Sequence, residues 1–292
     1  MPPPAPGDSI ELAGVRTHIV VDEPRRTEDG VPAVLSSGLA GNWFDWDHCA
    51  ALLALRRRVV RLDRPGYGLS DPWPNDVLPT IDAEVRRFAG LLDHLEIERA
   101  VLVGHSMASF YVEAFARIHP DRTAGIVVLD GSVEDTPHPV LPERTRSRLV
   151  LGGVGTTARL RLGRLAAPAV RKVLIHSAPP GGFTEGQRAW YRQIVPTDRY
   201  MVAALLENAQ YPIMARELLA VRERYPRLTA PVTVAAAFSG RPSPWAAHWS
   251  TVQRRYAARL SGEFAVVSPA GHHMMIDQPG QVAALVERVR RR

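Results

Sequence analysis

A serine between small residues stands at the end of a strand-like run in the first half of the chain. The run Ala100–Val103 leads into Gly104-His105-Ser106-Met107-Ala108, and a helical pattern follows to about His119. Small residues at both ends of this pentapeptide let strand and helix backbones approach closely, and the sharp turn between them exposes a serine hydroxyl above the sheet. The pattern G-x-S-x-[GA] also occurs by chance, but this flanking context favours Ser106 as a nucleophile.

A serine hydroxyl needs a base that takes its proton. His272 stands in the loop Ser268–His273, between the last predicted strand and the last predicted helix. His273 is adjacent, and neighbouring side chains in an extended loop point apart, so only one of the two histidines should reach Ser106. We expect His272 to be the base and His273 to be a packing histidine.

These motifs resemble those of the α/β-hydrolase superfamily, and the resemblance covers nearly the whole chain. Ser37-Gly38-Leu39 matches the oxyanion loop, Asp63–Asp71 a loop common in the family, Gly104–Ala108 the nucleophile elbow and Gly271-His272 the histidine loop, all in family order. The resemblance implies a serine hydrolase whose oxyanion hole is formed by the backbone N–H groups of Leu39 and Met107. The family usually has a histidine where this chain has Ser37, a change that should mainly alter how the loop is braced.

The acid that should orient His272 departs from the family's usual position. That position falls near Gly240, yet residues 231–262 contain no Asp or Glu. Some members carry the acid about two dozen residues beyond the nucleophile, and Asp130 follows Ser106 by 24 residues. The resemblance therefore implies Asp130 as the acid, with Glu134 and Asp135 as the alternatives.

Strand and helix patterns alternate through both ends of the chain, which is typical of βαβ units and a parallel sheet. A long helical region with scattered prolines interrupts this alternation after Asp130. The sequence thus predicts an α/β-hydrolase fold, a mostly parallel central sheet flanked by helices. Residues 1–133 and 229–292 would form the core, and residues 134–228 a helical cap. We also predict helices at Trp43–Arg56 and Gly280–Arg291.

Several residues beside the motifs are candidates for a substrate pocket. They are Gly38, Trp43, His105 and Met274. Trp43 and Trp46 have helical spacing, which favours core packing for this pair. Met274, with Met275, could likewise fill the core. Asp63 and Arg64 are expected to brace their loop through hydrogen bonds.

The composition excludes several classes of protein. The chain has 292 residues and a formal charge of +6, but its basic residues lack the clustering or module of a nucleic-acid-binding protein. Cys49 is the only cysteine, which excludes an internal disulfide framework. The sequence shows neither metal-ligand spacing nor a phosphate-binding glycine loop, so we expect no cofactor. Without a signal-peptide pattern or a stretch of about 20 apolar residues, we expect a cytoplasmic protein.

The positive charge is concentrated in the predicted cap. Residues 132–230 carry 15 basic and eight acidic residues, and Arg144–Lys172 holds eight basic residues without an acidic one. This run could contact an anionic lipid surface or an acidic substrate. A solvated helix face in an arginine-rich protein is the favoured interpretation. The sequence gives no indication of an oligomeric state.

Taken together, the motifs predict a serine hydrolase that cleaves a small, largely apolar carboxylic ester or lactone through an acyl-enzyme. Amide, C–C bond or acyl-transfer chemistry on the same triad is one alternative. A ligand-binding protein of the same fold with little turnover is another. An epoxide hydrolase or dehalogenase with an aspartate nucleophile is disfavoured because the elbow carries Ser106.

Overall fold

The computed structural model describes residues 3–26, 30–74, 77–136, 145, 149–150, 152–153, 155–156, 163–174 and 176–289. In these residues eight strands form one sheet in the order β1-β2-β4-β3-β5-β6-β7-β8, parallel from β4 onward. The strands are β1 (Asp8–Leu12), β2 (Val15–Asp22), β3 (Ala33–Ser36), β4 (Val59–Leu62), β5 (Ala100–His105), β6 (Thr123–Leu129), β7 (Val232–Ala237) and β8 (Glu263–Val267). This architecture confirms the predicted fold class.

The helices described in these ranges lie mostly between successive strands. They are α1 (Asp47–Leu53), α2 (Ile81–His94), α3 (Ala108–Ile118), α4 (Gly163–Leu174), α5 (Glu185–Ile194), α6 (Asp198–Arg224), α7 (Pro244–Arg259), α8 (Met274–Asp277) and α9 (Pro279–Glu287). Short 3₁₀ helices occupy Trp43–Trp46 and Pro120–Arg122. Local sequence explains several boundaries: the Thr80 hydroxyl, for example, accepts a hydrogen bond from the Ala83 N–H and caps α2.

The central strands are apolar on both faces because helices cover both sides of the sheet. One face packs against α2, α3 and α7, and the other against α1 and α9. The first layer includes Val34, Leu102, Ile126, Phe88, Phe110 and Tyr256, all buried. The second includes Leu35, Val103, Leu129, Leu53 and Val286. Burying each large apolar side chain contributes a free energy of about 1.5–3 kcal/mol, which stabilises this three-layer arrangement.

The parallel register brings the carboxyl ends of four strands to one edge of the sheet. Ser36 lies opposite Gly104, His105 opposite Leu129, and Leu129 opposite Ala235. The loops that follow β3, β5, β6 and β7 therefore meet at this edge. Side chains carried by these loops can contact each other although they are far apart in the sequence.

Two of the predicted helices differ in detail. The helix expected at Trp43–Arg56 begins as a 3₁₀ turn, at whose start the Asn42 N–H donates to the Asp45 carboxylate at 2.8 Å, and α1 ends at Leu53. The last helix begins at Pro279 and ends at Glu287, and the short α8 precedes it. Proline at its first position explains the earlier start.

Between β6 and β7, the described chain contains α4, α5 and α6. Much of the basic run Arg144–Lys172 lies outside the described residues. No helix in the described ranges is long and apolar enough to cross a membrane.

Candidate active site

Ser106 occupies the turn between β5 and α3 with a φ of +52°, a left-handed conformation that is uncommon for a residue with a side chain. Its N–H donates to the Leu129 carbonyl at 3.0 Å, which ties the turn to the end of β6. A Cβ at Gly104 would lie 2.7 Å from the Ala108 carbonyl oxygen. Only glycine therefore allows β5 and α3 to approach this closely, as the sequence pattern predicted for such a turn.

His272 and Asp130 are in direct contact across the sheet edge. Nδ1 of His272 donates to Oδ2 of Asp130 at 2.6 Å. The other carboxylate oxygen, Oδ1, accepts hydrogen bonds from the Ala237 N–H at 3.0 Å and the Trp249 indole N–H at 2.7 Å. Asp130 is 5% exposed and His272 41%, so a buried carboxylate orients a histidine that remains open to solvent.

The two alternative acids have partners elsewhere. Glu134 accepts a hydrogen bond from the Tyr211 hydroxyl at 3.0 Å. Asp135 pairs with Arg259, and the Arg259 guanidinium holds the pKa of that carboxyl below its usual range. Of the three acids that the sequence left open, Asp130 is the one that the structure brings to His272.

Four groups on the loops that meet at this edge form no hydrogen bond to any described residue. They are the Ser106 hydroxyl, Nε2 of His272 and the backbone N–H groups of Leu39 and Met107. Gly38 approaches so closely that a Cβ there would lie 2.6 Å from Cβ of Ser106. Chemically, such a set supplies a hydroxyl, a free imidazole nitrogen and two N–H groups that can donate hydrogen bonds to a developing oxyanion.

His105 connects the loops around Ser106. Its Nδ1 accepts from the Gly38 N–H at 3.3 Å, and its Nε2 donates to the His272 carbonyl at 2.9 Å, a tautomer assigned from these partners. Burial, together with nearby His272 and His273, lowers the pKa of His105 well below its ordinary value, so the ring is neutral. His105 is 1% exposed and packs within the protein, and its place in a substrate pocket stays a prediction. The sequence feature that could have indicated this connecting role is the position of His105 next to Ser106 in the pentapeptide.

Two further pocket candidates are also packing residues. Trp43 is 1% exposed and contacts Phe44 and Trp190 edge-on, with ring centroids 5.0 and 5.4 Å away. Met274 is fully buried against the second core layer. Both side chains are buried in this structure, and a substrate contact stays a prediction for them. Gly38, the fourth pocket candidate, is buried as well and lies against Ser106.

The neighbouring histidine is also buried. His273 is 4% exposed, and burial, together with His272, lowers its pKa to about 2. This is the packing role expected for it. The bracing hydrogen bonds expected of Asp63 are present as well, since its carboxylate accepts from the N–H groups of Trp43 at 2.9 Å and Leu69 at 3.1 Å.

A groove, the possible metal ligands and the basic run add no further group to this candidate site in the described chain. A groove of about 930 Å³ lies at the opposite end of the strands, where Pro32 and Pro231 precede β3 and β7 and Ala124 lies at the start of β6. It contains none of the predicted site residues. Among the described residues, no group of three or more histidine, cysteine or acidic side chains could hold a metal ion. Within the basic run, Arg171 is buried and paired with Asp45, so it does not face solvent or a lipid surface.

Curated relatives match part of the chain. Epoxide hydrolase B of Mycobacterium tuberculosis is 36% identical over 119 residues, which cover 40% of this chain and 33% of that protein. The 2-hydroxymuconate semialdehyde hydrolase of Pseudomonas sp. (strain CF600) is 33% identical over 129 residues, 43% of this chain and 44% of that protein. The chain thus spans between a third and a little under half of the length of these relatives.

Solved structures match it over nearly its full length. Cfl2 from Burkholderia cenocepacia aligns with a TM-score of 0.71 at 21% identity, covering 97% of this chain and 95% of that one. A thermophilic esterase from Thermogutta terrifontis aligns with a TM-score of 0.68 at 21% identity, covering 98% and 100%. At this identity the likeness concerns the fold. The family model described as the alpha/beta hydrolase family matches residues 33–285, most of the described sheet and its helices, and the chain belongs to that family.

Proposed function

We propose that this protein is a serine hydrolase that cleaves a small, largely apolar carboxylic ester or lactone. The observation that carries the proposal is the His272–Asp130 hydrogen bond of 2.6 Å beside a serine held in a left-handed turn. An Asp–His pair next to an exposed serine hydroxyl is the arrangement that activates serine for acyl transfer. Two curated relatives are named as hydrolases and one similar solved structure as an esterase, and these names support the same class of reaction.

In the proposed mechanism, the Ser106 hydroxyl attacks the acyl carbonyl while Nε2 of His272 takes its proton. Asp130 keeps the proton of His272 on Nδ1 and stabilises the imidazolium that forms. The N–H groups of Leu39 and Met107 stabilise the oxyanion. His272 then protonates the leaving alcohol and activates the water that hydrolyses the acyl-enzyme, which restores the free serine.

Epoxide opening on this site is disfavoured by simple chemistry. An aspartate that opens an epoxide forms an ester, which water can hydrolyse and so complete a turnover. A serine that opens an epoxide forms an ether, which water does not cleave under these conditions. Because the elbow carries Ser106, we propose ester hydrolysis for this site and not the epoxide hydrolysis for which the Mycobacterium tuberculosis relative is named.

The helical segment of residues 134–228 is proposed to cap the site. Trp190, Tyr200 and Met201 from this segment pack against Trp43 and Phe44, which directly follow the oxyanion loop. The apolar character of this contact between the segment and the residues after the loop supports a largely apolar acyl group. A small-molecule ester is accordingly the proposed partner.

The first experiment is labelling with a fluorophosphonate probe that forms a covalent bond with an activated serine. Wild-type protein should be labelled at one residue, and Ser106→Ala should remove the label. Ser109→Ala is a matched control, because Ser109 lies in the first turn of α3, three residues after Ser106, is buried, and its hydroxyl donates to the Ser132 carbonyl at 3.2 Å. If folded wild-type protein is not labelled, the serine-hydrolase proposal is wrong.

A substrate panel then separates the reaction classes. Nitrophenyl esters of increasing acyl length and simple lactones should be hydrolysed, with the shorter acyl groups preferred. A nitroanilide tests the amide alternative, and styrene oxide tests the epoxide alternative. Epoxide hydrolysis that persists in Ser106→Ala would contradict the proposed mechanism, and binding of esters without turnover would favour the ligand-binding alternative.

A further inference from the structure

The loop that carries the proposed oxyanion amide of Leu39 is held by its carbonyl groups. We call residues 37–41 the oxyanion loop. The Arg64 guanidinium donates to the Ser37 carbonyl, and through its second terminal nitrogen to the Gly38 carbonyl at 2.8 Å. The Ala40 carbonyl accepts from the Tyr200 hydroxyl at 2.5 Å and also from Arg171. Three carbonyls of a five-residue loop are thus bonded to side chains outside it.

These side chains depend on the helical segment between β6 and β7. Tyr200 lies on α6 and Arg171 on α4. Arg64 belongs to the core, but Glu207 of α6 pairs with it through two bonds, Nε to Oε1 at 2.7 Å and a terminal nitrogen to Oε2 at 2.8 Å. Every side chain that binds these three carbonyls therefore comes from the helical segment or is paired with a residue of it.

The bond to the Gly38 carbonyl has a direct consequence for the Leu39 N–H. Both groups belong to one planar trans peptide, in which the C=O and N–H point in opposite directions. When Arg64 holds the carbonyl oxygen, the direction of the Leu39 N–H is set as well. The donor that the mechanism needs is left unbonded within the described residues, ready to face an oxyanion.

Charge adds to this orientation. Arg64 is 2% exposed and Glu207 also 2%, so the pair lies in the interior. Burial alone would lower the pKa of Arg64, but Glu207 beside it raises that pKa well above its ordinary value, and the guanidinium stays charged. A cation that polarises the Gly38 carbonyl also strengthens the N–H of the same peptide as a donor, since hydrogen bonds in a chain reinforce each other.

We infer that Arg64 and Glu207 are positioning residues for the oxyanion hole, acting through the Gly38–Leu39 peptide. This inference rests on the proposed function. It means that α6, besides covering the site, supplies part of the support for transition-state stabilisation. An arginine and a glutamate 143 residues apart would then act as one unit.

The test compares Glu207→Gln and Arg64→Lys with Tyr67→Phe. Glu207→Gln removes the charge that fixes the guanidinium, and Arg64→Lys removes the fork that reaches two carbonyls. Tyr67→Phe is the matched control, because the Tyr67 hydroxyl donates to Glu207 at 2.9 Å but does not contact the oxyanion loop. Loss of a whole oxyanion donor costs about 100- to 1000-fold in kcat, so a misdirected donor should cost about 10- to 100-fold.

The readout must separate positioning from a general loss of structure. For both variants we expect kcat on the best ester to fall about 10- to 100-fold while KM stays within about threefold. Affinity for a boronic acid, which forms a tetrahedral adduct on serine, should fall by a similar factor. Affinity for a non-hydrolysable ether analogue should not change. Tyr67→Phe should resemble the wild type in all three measurements.

The result that overturns the inference is a folded Glu207→Gln or Arg64→Lys protein with kcat and boronate affinity within about twofold of wild type. An equal loss of ether and boronate affinity would also overturn it, since that pattern indicates a disrupted pocket. If Glu207→Gln does not fold, Arg64→Lys carries the test, because lysine keeps a positive charge beside Glu207. Failure of the proposed function is seen separately, as wild-type protein that is neither labelled nor active on esters.

Discussion

Replacement of Asp130 by asparagine is the sharpest test of the assigned roles, because the structure dictates how the new amide would sit. In the wild type, Oδ1 of Asp130 accepts from two donors, the Ala237 N–H and the Trp249 indole N–H, at 3.0 and 2.7 Å. An asparagine oxygen can keep both bonds. The opposite orientation would place an NH₂ group against two donors and leave three partly buried groups unsatisfied, at up to about 1–3 kcal/mol each.

The favoured orientation turns the amide NH₂ toward His272. Nδ1 of His272 would then accept a hydrogen bond, and the proton of the neutral ring would move to Nε2. A ring protonated at Nε2 cannot take the proton of Ser106. The wrong tautomer in a serine triad lowers kcat by about 10⁴, which corresponds to about 5.5 kcal/mol of activation free energy. We expect Asp130→Asn to lower kcat by about 10³- to 10⁴-fold.

The assay is hydrolysis of the best ester from the panel, with the melting temperature measured in parallel. Asp135→Asn is the matched control, because Asp135 follows in the same loop and pairs with Arg259 at the surface. It should change kcat less than twofold. The reasoning is refuted if Asp130→Asn stays within tenfold of wild type, or if Asp135→Asn or Glu134→Gln loses as much activity.

Three further predictions concern the support of the site. Trp249→Phe removes one of two donors to Oδ1 of Asp130, and loss of one such charge-assisted bond of about 1.5 kcal/mol should lower kcat up to about tenfold. Gly38→Ala places a Cβ 2.6 Å from Cβ of Ser106, so one of the two loops must shift, and kcat/KM should fall more than about tenfold. His273 is buried with a pKa lowered to about 2, so its contribution to stability is present above its unfolded pKa of about 6.5 and is lost as the pH falls toward the folded value. Between pH 7 and pH 5 wild-type protein should lose about 2 kcal/mol of unfolding free energy more than His273→Phe, as measured by urea denaturation.

Each of these has a control or a contradicting result. Normal kcat in Trp249→Phe would mean that the Ala237 N–H alone positions the carboxylate. Gly280→Ala is the control for Gly38→Ala, because a Cβ at Gly280 meets nothing within 4 Å, and it should keep full activity. Equal pH dependence in wild type and His273→Phe would show that His273 is not held neutral in the folded protein.

Much of the site could be predicted because it is encoded in contiguous residues. Gly104 to Ala108 specify a turn by steric demands among neighbours: glycine where α3 crosses β5, and a serine at the tip. The strands around it are short runs of valine, leucine and isoleucine whose burial does not depend on details elsewhere. Such signals are local, so a single sequence carries them.

Other parts of the site depend on contacts between distant segments. Asp130 and His272 are 142 residues apart, and two further acids, Glu134 and Asp135, follow Asp130 in the same loop. The choice among them follows from the register of β6 and β7, which brings the Ala237 N–H and the Trp249 indole to Asp130, while Arg259 and Tyr211 engage the other two. His105 was missed as a connector because its partners are backbone groups, and any residue type could supply those.

By itself, the amino-acid sequence determined the alternation of strands and helices, the elbow that presents Ser106 and the loop that carries His272, because each depends on residue types close together in the chain. Only the tertiary structure decided which acid meets His272, and that Arg64 is paired with Glu207 beneath the oxyanion loop. It also showed that Trp43 and Met274 pack in the interior. Buried polar groups must find partners, and which partner is within reach is set by how the strands are ordered and the helices packed, information that no short stretch of sequence contains.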